Sequence, residues 1–298
     1  MTLIIAMLLD AALGEPRWLW NRFPHPAVLM GRLIGWCDRR FNAGDQKQVM
    51  GLLVLVALCI GAGVIGWLIQ LLPTNILDIA ILAILLAQKS LVEHVQAVAN
   101  ALRMSLGDGR KSVAMIVGRD TRTMDGSAVA RSAIESAAEN LSDGVIAPIF
   151  WFAVAGLPGL LIYKITSTAD SMIGYRTPKH AQFGWAAARF DDLINLIPAR
   201  LTALMIWAVT IRPNPRPILR EAPLHRSPNA GWPEAAMAYG LDIALSGPRS
   251  YGGEMRDYPF VNGDGERDLG ADDIDNAVNL LWKTWALSLA VAVALALV

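Results

Sequence analysis

The sequence predicts an all-α, polytopic integral membrane protein with several transmembrane helices, possible re-entrant half-helices and amphipathic cytoplasmic helices. Three observations support this class. Hydrophobic residues make up 54% of the 298 residues and charged residues only 17%, against roughly 25% charged in ordinary soluble domains. Residues 49–72 carry no charge and are numerous enough to span a bilayer as a helix. Two other apolar runs, 145–165 and 193–211, contain prolines that interrupt a regular span.

The composition also argues against some functions. The formal net charge is zero, which argues against nucleic-acid binding. The two cysteines, Cys37 and Cys59, provide neither a disulfide framework nor zinc-ligand spacing. The four histidines are scattered without paired ligand spacing, so no transition-metal site is predicted.

The first 48 residues predict a short anchor followed by a membrane-surface segment. Residues 1–13 are apolar but short for a full span, and they lack the basic region and cleavage site of a secretory signal. Residues 14–40 mix aromatic rings with arginines, a composition typical of the headgroup layer of a membrane. We therefore expect an anchor helix or partial span, and then an interfacial helix.

The next part of the chain predicts a helical pair and an amphipathic helix. Residues 49–72 form the clearest span, residues 73–75 turn the chain, and residues 76–86 return it. From Gln88 the apolar residues recur at helical spacing with charged residues between them, which indicates a helix leaving the membrane. Glycines in the segment 107–110 are expected to break this helix.

Carboxylates cluster between residues 131 and 200. Asp125 or Ser127 is expected to cap the first helix of this region, and Gly144 to end it. Glu135 and Glu139 are four residues apart, so they share a helical face and repel each other unless a cation or a basic group lies between them. Further polar side chains beside apolar runs are Asp170, Asp191, Asp192 and Asn195. Carboxylates in such places usually have a function. We interpret the cluster as a cation-and-phosphate site, while any single member is also explained by helix-end charges or solvated turns.

Basic residues predict the orientation of the chain. Segments 14–48, 89–140 and 212–276 contain six, seven and seven Lys or Arg residues, and the turn at 73–75 contains none. The positive-inside rule places the three basic segments in the cytoplasm. Segment 164–190, with four basic residues, is cytoplasmic if both proline-broken runs are re-entrant and external if both cross. We favour the re-entrant alternative because it gathers the acidic clusters on one side. The chain is then a single membrane-embedded domain, 1–298, with cytoplasmic segments at about 14–48, 89–144 and 212–276.

The last third of the chain is soluble-like before a final apolar helix. Residues 212–217 are expected to be extended, residues 233–241 helical, and Gly252–Gly253–Glu254 a turn. Aspartates just before the final run, 278–298, suit the N-terminus of a helix, where the dipole favours negative charge.

Several long blocks resemble a known family. These blocks are ESAAENLSDGVIAPIFW, TSTADSMIGYRT, FGWAAARFDDLINLIPARLTAL and HRSPNAGWPEAAMA, with GEPRWLWNRFPHPAVLMGRLI near the start and the GRDT turn. They resemble, in order, the signature blocks of adenosylcobinamide-phosphate synthases, the CobD/CbiB family of cobalamin biosynthesis. The similarity covers almost the whole chain and is least distinctive after Glu254.

The resemblance implies an acid–amine ligase of the bacterial inner membrane whose active site faces the cytoplasm. Its substrates would be adenosylcobyric acid, a corrinoid, and an amino alcohol or its phosphate, with ATP as co-substrate and Mg²⁺ as cofactor. Attack of the corrinoid carboxylate on the γ-phosphate of ATP would activate it for the amine. Such chemistry needs carboxylates for Mg²⁺ and cationic groups for the phosphates. Expected partners are these substrates, the lipid bilayer and other late cobalamin-pathway enzymes.

We assign the roles that this chemistry requires to residues of the resembling blocks, as hypotheses. The expected metal ligands are Glu135, Glu139, Asp170, Asp191, Asp192 and Asn195. The expected catalytic residues are Glu135, Glu139 and Asp143. The expected substrate and phosphate contacts are Arg119, Asp120, Thr121, Arg131, Asn140, Tyr175, Arg176, Arg189, His225 and Asn229.

Two other functions fit parts of the sequence. Asp191 and Asp192 with Asn195 resemble the aspartate-rich Mg²⁺–diphosphate site of intramembrane prenyltransferases, although a second aspartate-rich helix is missing. A non-enzymatic signalling or transport protein of the same architecture would use the proline-broken helices to line a path. Isoprenoid turnover would indicate the first function, and substrate flux without ATP turnover the second.

Overall fold

The computed structural model describes residues 1–210, 214–251 and 254–297. The chain forms two compact units. Unit 1 comprises Met1–Ala87 and Asp143–Leu196, and unit 2 comprises Gln88–Ser142 and Ile197–Val298. Almost all regular structure is helical, which confirms the predicted all-α class.

The helices in chain order are α1 (Thr2–Leu13), α2 (Arg17–Trp20), α3 (Pro26–Phe41), α4 (Lys47–Gln70), α5 (Ile76–Leu85), α6 (Gln88–Met104), α7 (Leu106–Val113), α8 (Gly126–Leu141), α9 (Ala147–Ile173), α10 (Trp185–Ile194), α11 (Leu196–Thr210), α12 (Arg216–Glu221), α13 (Gly231–Leu241) and α14 (Ala271–Ala296). A π-helical turn, Ser142–Ile146, joins α8 to α9, and a 3₁₀ turn, Ala222–Leu224, follows α12. The strands are β1 (Leu245–Ser246), β2 (Arg249–Tyr251), β3 (Glu254–Arg256) and β4 (Phe260–Val261).

Three segments are long and apolar enough to cross a membrane: α4, Gly126–Ile173 and α14. The pair α10 and α11, which meet at a bend of 43°, would be a fourth. Only 11% of the most apolar window of α4 is buried, so most of its leucine and valine side chains lie on the surface. An exposed apolar surface of this extent is typical of contact with lipid rather than water.

The chain reverses direction inside α9. Ala155 and Gly156 have non-helical backbone angles, and Gly156 has a φ of 61°. The Tyr163 hydroxyl donates to the Asp143 carbonyl at 2.9 Å. These two residues would be about 30 Å apart in a continuous helix, at 1.5 Å per residue. A Cβ added to Gly159 would also lie 2.5 Å from the Trp151 carbonyl oxygen. The run 145–165 therefore forms a helical hairpin, one of the two predicted alternatives.

Helix α4 packs along the second arm of this hairpin. Gly66 lies against the main chain of Pro158, and Cys59 contacts Thr166 at 3.6 Å between Sγ and Oγ1. At the end of α4 that carries Lys47, Gly51 lies against the Phe183 carbonyl. Glycines allow such close approach of helices. Within unit 1 the loop 174–184 therefore lies at the same end as Lys47.

The loop 174–184 is also fastened to α3. Asp38, which is buried, accepts hydrogen bonds from Lys179 at 2.5 Å and from Asn42 at 2.8 Å. His180 Nε2 lies 3.4 Å from the same carboxylate. Burial alone raises the pKa of Asp38, but the hydrogen bonds from Lys179, Asn42 and His180 outweigh it and lower this pKa. The carboxylate is thus held in its ionised form.

The second proline-broken run behaves differently from the first. Its break lies at Asn195, between α10 and α11, and Pro198 sits in the first turn of α11. A proline there removes no helical hydrogen bond, because the first N–H groups of a helix have no partner within it. The two runs therefore differ in local geometry: the first reverses, and the second bends by 43°, an angle that fits either a broken span or a re-entrant loop. Ile211, at the end of this run, lies outside the described residues.

Two predicted helix ends are wrong. The segment 107–110 lies inside α7, whose start is capped by Ser105 accepting from the Asp108 N–H at 3.0 Å. Gly144 lies in the π-helical turn, so the chain continues into α9 instead of stopping. In contrast, Asp125 caps α8 as predicted, accepting from the Ala128 N–H at 2.7 Å. Glycine alone does not stop a helix where a side chain or a further turn satisfies the backbone.

The soluble-like region folds beside α8 in unit 2. Two small antiparallel ladders, which the sequence did not predict, pair β1 with β4 and β2 with β3. In the first ladder Ser246 lies opposite Phe260. The acidic start of α14 is fixed to α6, because Asp275 accepts from Gln96 and Arg103, each at 2.6 Å. Residues 211–213 and 252–253, which include parts of the predicted extended segment and turn, lie outside the described residues.

Candidate functional site

A polar cavity of unit 2, which we call the arginine cavity, has a volume of about 460 Å³. Its walls combine three guanidinium groups with three carboxylates. These groups belong to Arg119, Asp120, Asp125, Arg131, Arg267 and Asp268. They come from the turn before α8, from α8 itself and from the segment before α14. Groups of both charges around one space suit a ligand that carries phosphates together with a cation.

Glu135 holds the wall of the cavity together. Its Oε2 atom accepts from Arg119 Nη2 at 2.6 Å, and its Oε1 atom accepts from the Ser246 N–H at 2.7 Å. The Glu135 side chain is only 4% exposed and that of Arg119 only 13%. A buried carboxylate with two such donors fixes both the guanidinium group and strand β1. Glu135 thus orients Arg119 at the cavity.

The start of α8 opens onto the same cavity. Asp125 and Ser127 line it, together with Ala128, whose N–H is held by the Asp125 carboxylate. The first N–H groups of a 16-residue helix and its dipole favour a negatively charged ligand. The Ser127 hydroxyl donates to the Arg267 carbonyl at 2.6 Å, which ties the helix start to the segment before α14.

Arg131 and Arg267 share one aromatic ring. Arg131 Nη2 donates to the Arg267 carbonyl at 2.7 Å, and Arg131 Nε donates to the Ala244 carbonyl at 3.1 Å. The guanidinium carbon of Arg131 lies 5.2 Å from the centre of the Phe260 ring, and that of Arg267 lies 4.7 Å from it. Such cation–π contacts hold the two charges close together at the cavity wall.

Asp120 is ionised at neutral pH. Hydrogen bonds from the side chain and the backbone N–H of Arg122 lower the pKa of Asp120 to about 2. The neighbouring Thr121 is buried. Asp120 is therefore ionised at the cavity wall, where its charge is paired with that of Arg122.

A second cavity of unit 2, which we call the histidine cavity, has a volume of about 250 Å³. Its lining includes Arg220, Glu221, His225, Arg226, Ser246 and Phe260. His225 Nε2 lies 3.7 Å from an oxygen of the buried Glu234. Burial and a hydrogen bond with Glu221 raise the pKa of Tyr239 to about 12, so the phenol stays protonated. Ser246 belongs to the walls of both cavities.

Predicted residues of unit 1 form a separate polar chain. The Tyr163 hydroxyl contacts Asn195 Oδ1 at 3.1 Å as well as the Asp143 carbonyl, and Asn195 Nδ2 donates to Asp191 at 3.0 Å. Asp192 lies 3.8 Å from Arg189. The structure therefore brings Asp143, Asp191 and Asn195 together through Tyr163, a residue that the sequence argument did not select.

The other predicted residues lie in varied surroundings. Asp170 lies against Gly174 in unit 1, and Asn229 is buried near His225 in unit 2. The exposed ones are Glu139, Asn140, Tyr175, Arg176 and Arg189. Because Glu135 is buried and Glu139 exposed, the two glutamates do not share one environment. Arg267, Phe260 and Ser246 were missed, since they lie far along the chain from α8 and carry no motif.

Within the described ranges, no three His, Cys, Asp or Glu side chains are grouped so that they could hold a metal ion. Mg²⁺ is commonly held by one or two carboxylates together with substrate phosphates and water. Asp125 and Asp268 in the arginine cavity fit that smaller requirement, whereas Asp120 already accepts three hydrogen bonds from Arg122. The six-residue ligand set expected from the sequence stays a prediction.

Comparison with known proteins gives a consistent result. The family described as CobD/Cbib protein matches residues 3–281. The "Cobalamin biosynthesis protein CobD" of Brucella anthropi is 45% identical, over 99% of this chain and 96% of the relative. The proteins of the same name from Brucella suis biovar 1 and Rhizobium meliloti are 47% and 48% identical, over 99% and 94% of this chain and 96% and 91% of the relatives. No solved structure matches. The chain therefore belongs to the CobD/CbiB family of cobalamin biosynthesis proteins.

Proposed function

We propose that this member of the CobD/CbiB family, an adenosylcobinamide-phosphate synthase, binds ATP and Mg²⁺ in the arginine cavity. There it would join adenosylcobyric acid to an amino alcohol phosphate. The observation that carries this proposal is the wall of three guanidinium groups and three carboxylates at the start of α8. Neither the prenyltransferase nor the signalling or transport interpretation gains support from the relatives, whose names refer to cobalamin biosynthesis.

The size and charge of the cavity support a nucleotide. A volume of about 460 Å³ lies within the usual range of small-molecule sites, roughly 300–1,000 Å³. Arg119, Arg131 and Arg267 offer donors for phosphate oxygens, and the N–H groups at the start of α8 add to them. One or both of Asp125 and Asp268 would hold Mg²⁺, together with phosphate oxygens and water. When bound, Mg²⁺ supplies charge neutralisation between the phosphates.

The reaction has two balanced steps. An oxygen of the corrinoid carboxylate attacks the γ-phosphorus of ATP, and ADP leaves with the electrons of the broken bond. The amine then attacks the acyl carbon, and inorganic phosphate leaves with the bridging oxygen. The amine arrives as an ammonium group and must lose one proton before the attack and another afterwards. Glu139 and Asp143 remain the predicted proton acceptors.

The buried ion pair would serve positioning. Glu135 fixes Arg119 and the Ser246 N–H, so the guanidinium group is already aimed before a phosphate arrives. A preorganised donor stabilises the charge that develops on the transferred phosphoryl group without reorganising at that moment. We thus assign Glu135 a positioning role.

The side of the membrane follows from the same residues. The walls of the arginine cavity come from segments 89–140 and 212–276, which each contain seven basic residues. The positive-inside rule puts both in the cytoplasm of a multi-pass inner-membrane protein, where ATP is present. The orientation with the arginine cavity in the cytoplasm stays a prediction.

Turnover of the purified full-length protein in detergent tests the proposal. The assay supplies ATP, Mg²⁺ and adenosylcobyric acid with either aminopropanol or its phosphate, and mass spectrometry identifies the corrinoid product. We expect one ADP and one phosphate per amide, and no turnover in excess EDTA. Formation of AMP and diphosphate would contradict attack on the γ-phosphorus.

Two matched variants test the location. Arg267→Gln removes a charge from the rim and should raise the KM for ATP about tenfold, which corresponds to about 1.4 kcal/mol. Lys111→Gln removes an exposed charge of unit 2 outside the cavity and should leave this KM unchanged. Equal KM values for ATP in the two variants, both folded, would refute the assignment of ATP to the arginine cavity.

A further inference from the structure

The histidine cavity adjoins the arginine cavity, and the β1–β4 ladder separates them. Ser246 on β1 lines both spaces. Phe260, its partner on β4, lines the histidine cavity, whereas the arginines that stack on its ring line the arginine cavity. The Phe260 ring would therefore lie between a ligand in the histidine cavity and a ligand in the arginine cavity.

The chemistry of the histidine cavity suits a small organic anion without a metal ion. Its lining includes the basic residues Arg220, Arg226 and His225. Among the described residues, Glu221 is the one carboxylate on its wall. Glu221 is already occupied, since it accepts from the Asn262 N–H at 2.9 Å and from Arg220 at 3.0 Å. These hydrogen bonds outweigh the effect of burial and lower the pKa of Glu221. The apolar part of the wall is formed by Leu224, Pro259, Phe260 and Val261, and Ser246 and Tyr258 add hydroxyl groups to the lining.

Neighbouring residues fix the position of the Phe260 ring. It packs against Gly247, where a Cβ would clash with the ring and where the φ of +82° favours glycine. Arg131 and Arg267 contact the ring at 5.2 and 4.7 Å. A phosphate bound in the arginine cavity competes for the same two guanidinium groups. Filling that cavity therefore changes the contacts that hold the ring over the histidine cavity.

We propose that the histidine cavity binds a small phosphate-bearing amine, and that Phe260 couples its occupancy to the arginine cavity. The proposal rests on the proposed function, because the amide-forming reaction needs an amine beside the activated carboxyl group. Arg226 and Arg220 bind the phosphate, the apolar wall covers the short carbon chain, and the amine points toward Ser246. The volume of about 250 Å³ leaves no room for a second nucleotide together with its phosphates.

Calorimetric titration of the full-length protein in detergent tests the site. The probes are O-phosphoethanolamine, ethanolamine, inorganic phosphate, and a non-hydrolysable ATP analogue with Mg²⁺. Arg226→Gln should raise the Kd of O-phosphoethanolamine at least tenfold and change the Kd of the nucleotide analogue less than twofold. Arg216→Gln, an exposed arginine of α12 outside both cavities, should change neither value. O-Phosphoethanolamine should bind at least tenfold more tightly than ethanolamine and more tightly than inorganic phosphate.

The coupling is tested by repeating the titration with the nucleotide analogue bound. In the wild type, the analogue should change the Kd of O-phosphoethanolamine about fivefold or more, within the usual range of coupling between sites. Phe260→Leu keeps an apolar side chain but removes the ring, and this ratio should fall to about 1. Phe260→Met serves as a second variant if the first fails to fold.

Several outcomes would overturn the inference. One is an unchanged Kd for O-phosphoethanolamine in Arg226→Gln, and another is mutual displacement of the two ligands, which would mean a single shared site. Equal binding of inorganic phosphate, or the wild-type coupling ratio in both Phe260 variants, would do the same. Failure of the nucleotide analogue to bind the wild type would instead refute the proposed function, so the two failures are distinguishable.

Discussion

Removing either partner of the Arg119–Glu135 ion pair should strongly destabilise unit 2. The two charges are 2.6 Å apart, and the side chains are 13% and 4% exposed. At an effective dielectric constant of about 20, the attraction at this distance is about 6 kcal/mol, before the cost of desolvating the charges. Breaking a buried pair from one side typically costs about 3–5 kcal/mol, because the other charge stays buried and loses its counter-charge.

A double-mutant cycle measures this effect. Glu135→Gln retains an oxygen that can accept from the Ser246 N–H, and Arg119→Met retains the volume of the side chain. Each single variant should lose about 3–5 kcal/mol in the free energy of unfolding. The double variant should lose at least about 2 kcal/mol less than the sum, because both single variants remove the same ion pair. Unfolding by SDS in detergent micelles, followed by tryptophan fluorescence, gives the four values.

An exposed pair of the same unit provides the control. Lys111 lies 3.4 Å from Asp108, and their side chains are 82% and 44% exposed. Lys111→Gln should therefore cost less than about 1 kcal/mol. If Arg119→Met costs no more than this control, or if the coupling energy is below about 0.5 kcal/mol, Glu135 does not hold the cavity wall in the way argued above.

Two further predictions concern unit 1. Gly66→Ala places a Cβ 2.6 Å from the Pro158 nitrogen and should lower the free energy of unfolding in SDS by about 1–3 kcal/mol. The control, Gly61→Ala on the same helix, meets nothing within 4 Å and should be neutral or stabilising. Equal effects of the two variants would refute the close packing of α4 on the hairpin. Asp38→Asn should speed tryptic cleavage after Lys179 about 5- to 30-fold at pH 7.5, which corresponds to a loss of about 1–2 kcal/mol in the stability of the loop. The loss is no larger because Lys179 is exposed, and exposure weakens its ion pair with Asp38. Because the folded-state pKa of Asp38 is lowered, its contribution is complete above its ordinary value of 3.8 and is lost as pH falls below that value, so Asp38 itself should add no pH dependence to the trypsin resistance of the loop between pH 6 and 8.

Local sequence patterns predicted the helices that contact lipid or that pack with one face against a neighbouring helix. The charge-free run 49–72 became α4, and the apolar positions Leu91, Val95 and Val98 became the buried face of α6. In both cases the burial preference of each residue repeats with the helical period, so it can be read from the chain. The cap at Asp125 was predictable for a similar reason, since its hydrogen bond reaches only three residues ahead.

The hairpin in α9 could be suspected but not decided from the sequence. A Gly–Leu–Pro–Gly segment is compatible with either a kink or a reversal. The reversal is supported by contacts such as Tyr163 with Asp143 and Gly66 with Pro158, which join residues 20 or more positions apart. Such contacts depend on packing, and packing is not visible in the local pattern. The same holds for the bend at Asn195, which the sequence assigned to Pro198.

The candidate site shows how far closeness in sequence can mislead. The carboxylates of residues 131–200 were grouped because they follow one another along the chain. The structure assigns Glu135 to unit 2, where its hydrogen-bond donors Arg119 and Ser246 are 16 and 111 positions away in the sequence. It assigns Asp143, Asp191 and Asn195 to a chain of hydrogen bonds in unit 1. A carboxylate that already accepts two short hydrogen bonds has fewer lone pairs left for a cation, so its first effect is to aim its donors. This is why the arginines around Glu135 are the stronger evidence for a phosphate ligand, and why the missed residues Arg267 and Phe260 matter: they complete the wall that Glu135 supports.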